Sequence, residues 1–311
     1  MSTAFRFLVH ARDKLYRAGI LPILRLDHPV ISVGNLTLGG TGKTPLVMAL
    51  AEGLRGRGFQ PVILSRGYRR TSREVLLASS VGSKWEEVGD EPYLLMKRLP
   101  NIPVVVGADR YQAGRIAERK QLGNVFILDD GFQHRRLFRD VDIVTIDSVE
   151  WTKGELLLPT GRWREPKSAI ARAHIACIQV TPEAAIPSIP IPAFEMRTQI
   201  IGIYKKEAAV SLESLRGRAI VAFAGIAKPE RFFAVLESLG IQPIKHLRFR
   251  DHHRYSRRDI EHLKGEILIT TEKDAVRLEG SGLVDFLYLR ISANIRDFDR
   301  LMDSIISRIR L

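Results

Sequence analysis

The run Gly39-Gly40-Thr41-Gly42-Lys43-Thr44 stands between an apolar stretch, Val30–Val33, and an amphipathic one, Thr44–Arg55. A strand, a glycine-rich loop and a helix in that order form the setting in which such a segment cradles phosphate. Glycines let backbone N–H groups turn inward without Cβ clashes, and the helix N-terminus adds partial positive charge. In this reading Lys43 reaches the β- and γ-phosphates and the Thr44 hydroxyl ligates Mg²⁺. Thr37 occupies the position, six before Lys43, where the usual pattern has glycine, and Thr37 and Leu38 lead into the loop. A second buried run, Val125–Leu128, ends in Asp129-Asp130. Carboxylates delivered by the C-terminal end of a strand are suited to holding Mg²⁺.

Other clusters admit two readings each. Ser65-Arg66-Gly67-Tyr68-Arg69-Arg70 follows a strand and suits anion binding, or is a solvated basic loop. Asp90, in Gly89-Asp90-Glu91-Pro92, either caps a helix or acts as a carboxylate base. In Gly161-Arg162-Trp163-Arg164-Glu165-Pro166, Arg164 suits phosphate binding and Glu165 suits metal binding or pairing with an arginine, or the segment is a salt-bridged loop. Asp251-His252-His253 suits a histidine oriented by a carboxylate better than a metal pair, because adjacent side chains diverge. Thr271-Glu272-Lys273-Asp274 is a weak match to a nucleobase-reading element.

The elements that must position these groups alternate. Strands are expected at 30–33, 61–64, 103–106, 125–128, 141–146 and 175–180, with helices at 44–55, 91–98 and 109–121 between them. Apolar strands alternating with amphipathic helices predict a parallel sheet covered on both faces. Pro182, Pro187, Pro190 and Pro192 then mark a connection, with short strands at 194–198 and 201–204. A second set follows: strands at 219–223, 244–249, 267–271 and 286–291, and helices at 228–240, 256–263 and 298–311. At the N-terminus Phe5, Leu8, Val9, Leu15 and Tyr16 recur at helical spacing, with Arg6, His10, Asp13, Lys14 and Arg17 mostly on another face. Interrupted by charge, this run is neither a secretory signal nor a spanning helix. It lies on a membrane or packs on its own core.

The 311 residues carry 48 Lys plus Arg against 35 Asp plus Glu, a formal charge of +13. Such an excess points to an anionic partner: nucleic acid, an anionic membrane face or a phosphorylated substrate. The single cysteine, Cys177, excludes an intramolecular disulfide and a Cys-based zinc cluster.

Taken in order, Gly39–Pro45, Leu64–Tyr68, Gly89–Pro92, Leu128–His134, Leu158–Pro166, Gly225–Pro229, Asp251–His253 and Thr271–Asp274 resemble the tetraacyldisaccharide 4′-kinase family, lipid A 4′-kinases of Gram-negative bacteria. The resemblance implies transfer of the γ-phosphate of ATP, with Mg²⁺, to the 4′-hydroxyl of a tetraacyldisaccharide 1-phosphate, giving lipid IVA. It implies Asp90 as base, with His252 orienting it or sharing its proton. Lys43 and residues 37–44 would bind the nucleotide. Asp129, Asp130, Thr44 and Glu165 would bind metal, and Ser65, Arg66, Tyr68, Arg70 and Arg164 the phosphate or substrate. It also implies a peripheral protein on the cytoplasmic face of the inner membrane, facing anionic lipid rather than nucleic acid. A monomer is the expected state.

The expected α/β architecture is then a P-loop NTPase-like parallel sheet flanked by helices, with a second smaller α/β domain and an N-terminal amphipathic helix. Its divisions are a membrane-associating helix at 1–26, a P-loop kinase domain at 27–183, a link at 184–214 and a C-terminal α/β domain at 215–311. The rival readings are a switch-type or metal-insertion GTPase, which GTP preference would mark, and a nucleic-acid module. The latter finds no reader motif here.

Overall fold

The computed structural model describes residues 2–79, 82–181, 184–260, 266–279, 281 and 285–309. Among them one sheet is built from β1 (Val30–Asn35), β2 (Pro61–Ser65), β3 (Leu76–Ala78), β4 (Val104–Val106), β5 (Val125–Asp129), β6 (Val141–Asp147), β7 (Ile175–Gln179), β8 (Ala193–Lys205), β9 (Ala208–Val210), β10 (Ile220–Ala224), β11 (Lys245–Arg248), β12 (Ile267–Thr271) and β13 (Leu287–Ile295). The helices are α1 (Ser2–Arg17), α2 (Lys43–Arg55), α3 (Trp85–Val88), α4 (Asp90–Arg98), α5 (Arg110–Arg119), α6 (Ser148–Thr152), α7 (Pro229–Ser238), α8 (Arg257–Ile260), α9 (Glu272–Leu278) and α10 (Phe298–Ile306).

The strand order is β11-β10-β12-β13-β8-β7-β6-β1-β5-β2-β4-β3, with β9 paired to β8. Every residue of β1, β2, β5, β6 and β7 is buried, as both faces of a covered parallel sheet require. Side chains alternate between faces. Ile31, Val33, Ile63 and Ile127 pack with Leu46, Leu50 and Leu54 of α2. Val30, Val62, Leu64, Phe126 and Leu128 pack with Ala113 and Ala117 of α5. The result is a mixed α/β fold with a large, mostly parallel sheet between helices.

The segment read as a connection behaves differently from residue 193 on. The two short strands expected there are a single strand, β8, of 13 residues. Its first residues, Ala193–Met196, pair with β7 in parallel. From Met196 to Tyr204 it pairs antiparallel with β13, with a register shift between Arg290 and Ile291. β10, β11, β12 and β13 run parallel to one another. They therefore run opposite to the first set, and β12 joins β13 at Leu287–Leu289, opposite Ile203 and Tyr204. That point is roughly 25 Å along β8 from its pairing with β7, at about 3.3 Å per residue. Displacement and reversal together turn the C-terminal ends of the two parallel sets towards each other. The loops that follow β1, β2, β5 and β6 meet those that follow β10, β11 and β12.

Helix α9 was not anticipated, because Thr271–Asp274 was read for its chemistry rather than as a helix start. Thr271 accepts from Asp274 N at 3.1 Å, an N-cap that opens the helix. At the start of the helix expected at 256–263, Asp259 Oδ2 accepts from Ser256 N at 2.7 Å and from its hydroxyl at 2.8 Å. The expected end of that helix, Leu263, lies outside the described residues. Among the described residues no helix is long and apolar enough to cross a membrane.

Candidate active site

The loop from β1 to α2 folds through three glycines at positive φ, Gly39 (70°), Gly40 (54°) and Gly42 (80°), the last capping α2. Side chains rarely adopt this backbone. Thr41 is buried and anchors the loop from below. Its hydroxyl accepts from Asn35 Nδ2 at 3.1 Å and lies 2.7 Å from Thr145 Oγ1. Thr37 bridges to Trp163. Leu38 N donates to Arg162 O at 2.7 Å, and the Arg162 guanidinium donates back to Leu38 O at 2.9 Å. From the opposing set of loops, Ala227 covers Gly39 so closely that a Cβ there would meet Ala227 Cβ at 2.5 Å. Gly39→Ala is therefore expected to cost about 1–3 kcal/mol, combining a left-handed backbone with a clash between loops. A thermal unfolding midpoint unchanged from the parent would contradict this.

Asp129 and Asp130 diverge from the end of β5. Asp129 is buried, and its Oδ2 accepts from Ser65 Oγ at 3.1 Å. Its Oδ1 is buried with no partner among the described residues. Burial, then the charges of Glu91 and Asp130, push its carboxyl up to about 7 against the pull of Lys43 and Ser65. A buried carboxylate oxygen left without a hydrogen-bond donor fits coordination to a divalent metal. Asp130, at φ 55°, turns the other way. Lys43 Nζ lies 3.3 Å from its Oδ1, and Arg164 Nη1 donates to both oxygens at 2.8 and 2.9 Å. Burial works to raise its pKa, but Lys43 and then Arg164 outweigh it and hold the carboxyl well below the usual range. Arg164 also donates to Gln133 Oε1, and Gln133 Nε2 to Asn35 O, tying this cluster to β1.

Asp90 opens α4, with Gly89 at φ 98° before it as the N-cap. Its Oδ1 accepts from Glu91 N at 2.9 Å. Its Oδ2 lies 2.7 Å from Nδ1 of His252, 162 residues away on the opposing loops. Asp90 is the first residue of α4 rather than its N-cap, which is Gly89, and one carboxylate oxygen still serves the first-turn amide of Glu91 while the other faces His252. Burial works to raise its pKa, yet the charge of Lys273, then the bond and charge of His252, then Arg277, hold it well below the ordinary range. The ionised carboxylate accepts, so His252 donates through Nδ1, and its Nε2 lies 3.9 Å from Asp251 Oδ2. The Tyr68 ring stands edge-on to His252, centroids 5.3 Å apart. Arg69 donates to Asp251 O at 3.2 Å, and Arg254 donates back to Arg69 O at 3.2 Å.

Other residues lie as follows. Arg66 is exposed. Arg70 is tied to Val106 O at 3.3 Å. Glu165 is buried, with Arg12 Nη2 3.3 Å from Oε1 and Arg172 Nη1 2.7 Å from Oε2. Both its oxygens are engaged by arginines, so of the two readings its surroundings match the ion pair rather than the metal ligand. Thr271–Asp274 is internal: Asp274 is fully buried, and Lys273 Nζ donates to Glu91 at 2.8 Å. Sequence reasoning passed over Asp147 at the end of β6. This buried carboxylate accepts from Lys228 at 2.7 Å and Arg231 at 2.6 Å, joining the two sets of loops. Its place at the C-terminal end of a strand, like that of Asp129, was the available signal. Arg110 was also missed. Burial, reinforced by Arg66, pushes its pKa down to about 10 despite Asp130, Asp129 and Asp109.

Helix α1 docks through charge. Asp13 pairs with Arg135, Arg17 and Arg172, and Arg12 with Glu165. Phe5 packs against the core cluster of Phe132 and Ile170, while Phe7 and Leu8 are left 72% and 64% exposed.

The family profile for tetraacyldisaccharide-1-P 4'-kinase matches residues 1–310. A tetraacyldisaccharide 4'-kinase from Koribacter versatilis (strain Ellin345) is 40% identical over 321 residues, spanning 98% of this chain and 97% of its own. One from Aquifex aeolicus (strain VF5) is 40% identical over 286 residues, spanning 90% and 88%. A crystal structure described as the "apo" form of LpxK from Aquifex aeolicus in complex with ATP matches with a TM-score of 0.86 and 37% identity, covering 99% of this chain and 97% of that one.

Proposed function

The chain belongs to the tetraacyldisaccharide-1-P 4'-kinase family, and from that premise we propose how its residues divide the work of phosphoryl transfer. The protein is an ATP-dependent kinase that phosphorylates the 4′-hydroxyl of tetraacyldisaccharide 1-phosphate in lipid A synthesis. The triphosphate lies along residues 37–44, where three left-handed glycines free backbone N–H groups for its oxygens. Lys43 releases Asp130 to reach the β- and γ-phosphates, and Arg164 keeps Asp130 paired. Asp129 and Thr44 would hold Mg²⁺, which when bound neutralises charge on the phosphates. Asp90 takes the proton of the sugar hydroxyl, and His252 holds its carboxylate in place. Ser65 orients Asp129, and Tyr68 walls the His252 ring.

The observation that carries this reading is the 2.7 Å contact of Asp90 with His252, made between the same opposed loops that carry Lys43, Asp129 and Asp130. Phosphoryl transfer needs positioning and charge neutralisation more than covalent help. A base and a triphosphate cradle facing each other across a cleft supply both. The test is transfer of label from γ-labelled ATP, with Mg²⁺, to purified tetraacyldisaccharide 1-phosphate in detergent micelles. Label in a lipid product that disappears when the acceptor is omitted is the expected result. Nucleotide hydrolysis without a labelled lipid would sink the assignment.

The acceptor's acyl chains stay in the bilayer, so the enzyme works at its surface, on the cytoplasmic face of the inner membrane. Exposed Phe7 and Leu8, on a helix held to the body by its ion pairs, support this placement. Inserting each side chain contributes about 1.5–3 kcal/mol. The double substitution Phe7→Asp, Leu8→Asp is therefore expected to lower partitioning onto anionic vesicles at least ~10-fold while the protein stays folded. Unchanged sedimentation with vesicles would remove α1 from the interface.

A further inference from the structure

Arg277 and Asp274, on α9, are both fully buried, and they touch neither Lys43, Asp129 nor Asp130 in any bond described above. Arg277 Nη2 donates to Asp274 Oδ1 and, at 2.9 Å, to Gly225 O. Asp274 Oδ1 also accepts from Gly225 N at 3.1 Å and from the Tyr255 hydroxyl at 2.7 Å. Its Oδ2 accepts from Thr271 at 2.6 Å. Gly225 thus has both backbone groups held by this ion pair, and its carbonyl also accepts from His252 N at 3.0 Å. His252 itself sits at φ 58°, a backbone that a side chain holds only under constraint. A Cβ on Gly225 would meet the Tyr255 hydroxyl at 2.9 Å and Arg250 O at 3.1 Å, so the packing leaves no slack.

The same guanidinium faces the other half of the pair. Arg277 Nε lies 3.8 Å from Asp90 Oδ2, the oxygen that His252 shares. Nε and Nη1 are buried with no hydrogen-bond partner among the described residues. Buried guanidinium N–H groups left open are uncommon and call for a reason. Movement of Asp90 by about 1 Å towards Arg277 would complete a bond from Nε. Three other charged groups face the pair: Lys273, which acts on Asp90; Glu91, which holds Lys273; and Asp251, 3.9 Å from His252 Nε2.

We propose that Arg277 and Asp274 are positioning residues for Asp90 and His252. The guanidinium fixes the His252 backbone through Gly225 and steadies the Asp90 carboxylate through Nε, and Asp274 with Tyr255 locks the guanidinium in place. The inference rests on Asp90 and His252 serving transfer, and it assigns the holding of that pair to a buried ion pair whose hydrogen bonds go to Gly225, Tyr255 and Thr271 rather than to the nucleotide loop.

The test is a double-mutant cycle on transfer from ATP to the lipid acceptor, with the full chain as wild type, Asp90→Asn, Arg277→Met and Asp90→Asn/Arg277→Met. Arg277→Met is expected to lower kcat ~10–100-fold and leave KM for ATP within about twofold. In the Asp90→Asn background the same change is expected to lower kcat less than about threefold, because the group it steadies is already gone. Arg277→Lys, which keeps the charge, recovers part of the loss. Multiplicative losses, or a loss in KM rather than kcat, would overturn the inference and leave Arg277 a structural residue. Full activity in Asp90→Asn would instead overturn the reading of the pair itself. Should Arg277→Met not fold, Tyr255→Phe removes one bond to Asp274 and is expected to lower kcat ~3-fold or more at unchanged KM. Wild-type kcat in that folded variant would equally refute the proposal.

Discussion

Asp90→Ala is expected to lower kcat about 10³-fold, within the 10²–10⁴ range of a lost general base, while KM for ATP changes less than about threefold. The carboxylate is 4% exposed, and its partners are His252, the Glu91 amide and the cations Lys273 and Arg277. None of these bonds contributes to the phosphate loop, so nucleotide affinity should survive its loss. Steady-state kinetics with ATP and acceptor varied separately checks the split. An equal loss in ATP affinity would move Asp90 to a metal or structural role. The pH behaviour has a definite sign. Asp90 has a depressed pKa in the folded chain, so the stability it contributes is complete above the unfolded carboxylate value. It is lost only as pH falls through the lower, folded value. The stability gap between parent and Asp90→Ala should therefore persist through neutral pH and close only in strong acid.

Lys43→Ala is expected to lower kcat about 10²–10³-fold and to raise KM for ATP, because one charge serves both the bound triphosphate and the transition state. The prediction follows from the company Lys43 keeps. It is 12% exposed, at the first turn of α2, and its present partner Asp130 retains Arg164 at 2.8 Å without it. The fold should therefore tolerate the change, and the thermal midpoint separates lost chemistry from lost structure. A variant with normal kcat would place the phosphate-neutralising charge elsewhere, and Lys228, beside Gly40, is the next cation in line.

Much of this was legible in the chain because local rules and global fold agree. Val30–Val33 ends at Gly34 and Val125–Leu128 ends at Asp129, and these short apolar runs, like the run from Ile175, become covered parallel strands. Glycines 39, 40 and 42 announce a backbone that only glycine enters easily, and all three have positive φ. What could not be read is distance. No spacing rule brings Asp90 to His252 or Asp147 to Lys228, since those meetings depend on which strands neighbour β8 and in what direction. Glu165 shows a different limit. An acid beside an arginine in a loop suits a metal or an ion pair equally, and only the arrival of Arg12 and Arg172 from elsewhere distinguishes them. Arg277 was invisible because nothing about one arginine on a short helix signals that it will be buried beside a carboxylate three residues earlier.

The long strand β8 has a mechanical consequence. Its two ends belong to different ladders, so the halves of the molecule are coupled by a ribbon rather than by a tether. A ribbon resists stretching and in-plane bending but yields to torsion, most readily at the shifted register of Arg290 and Ile291 opposite Gly202 and Ile200. Sideways displacement of the loops carrying Asp90 and His252 would have to strain the hydrogen bonds of the sheet itself.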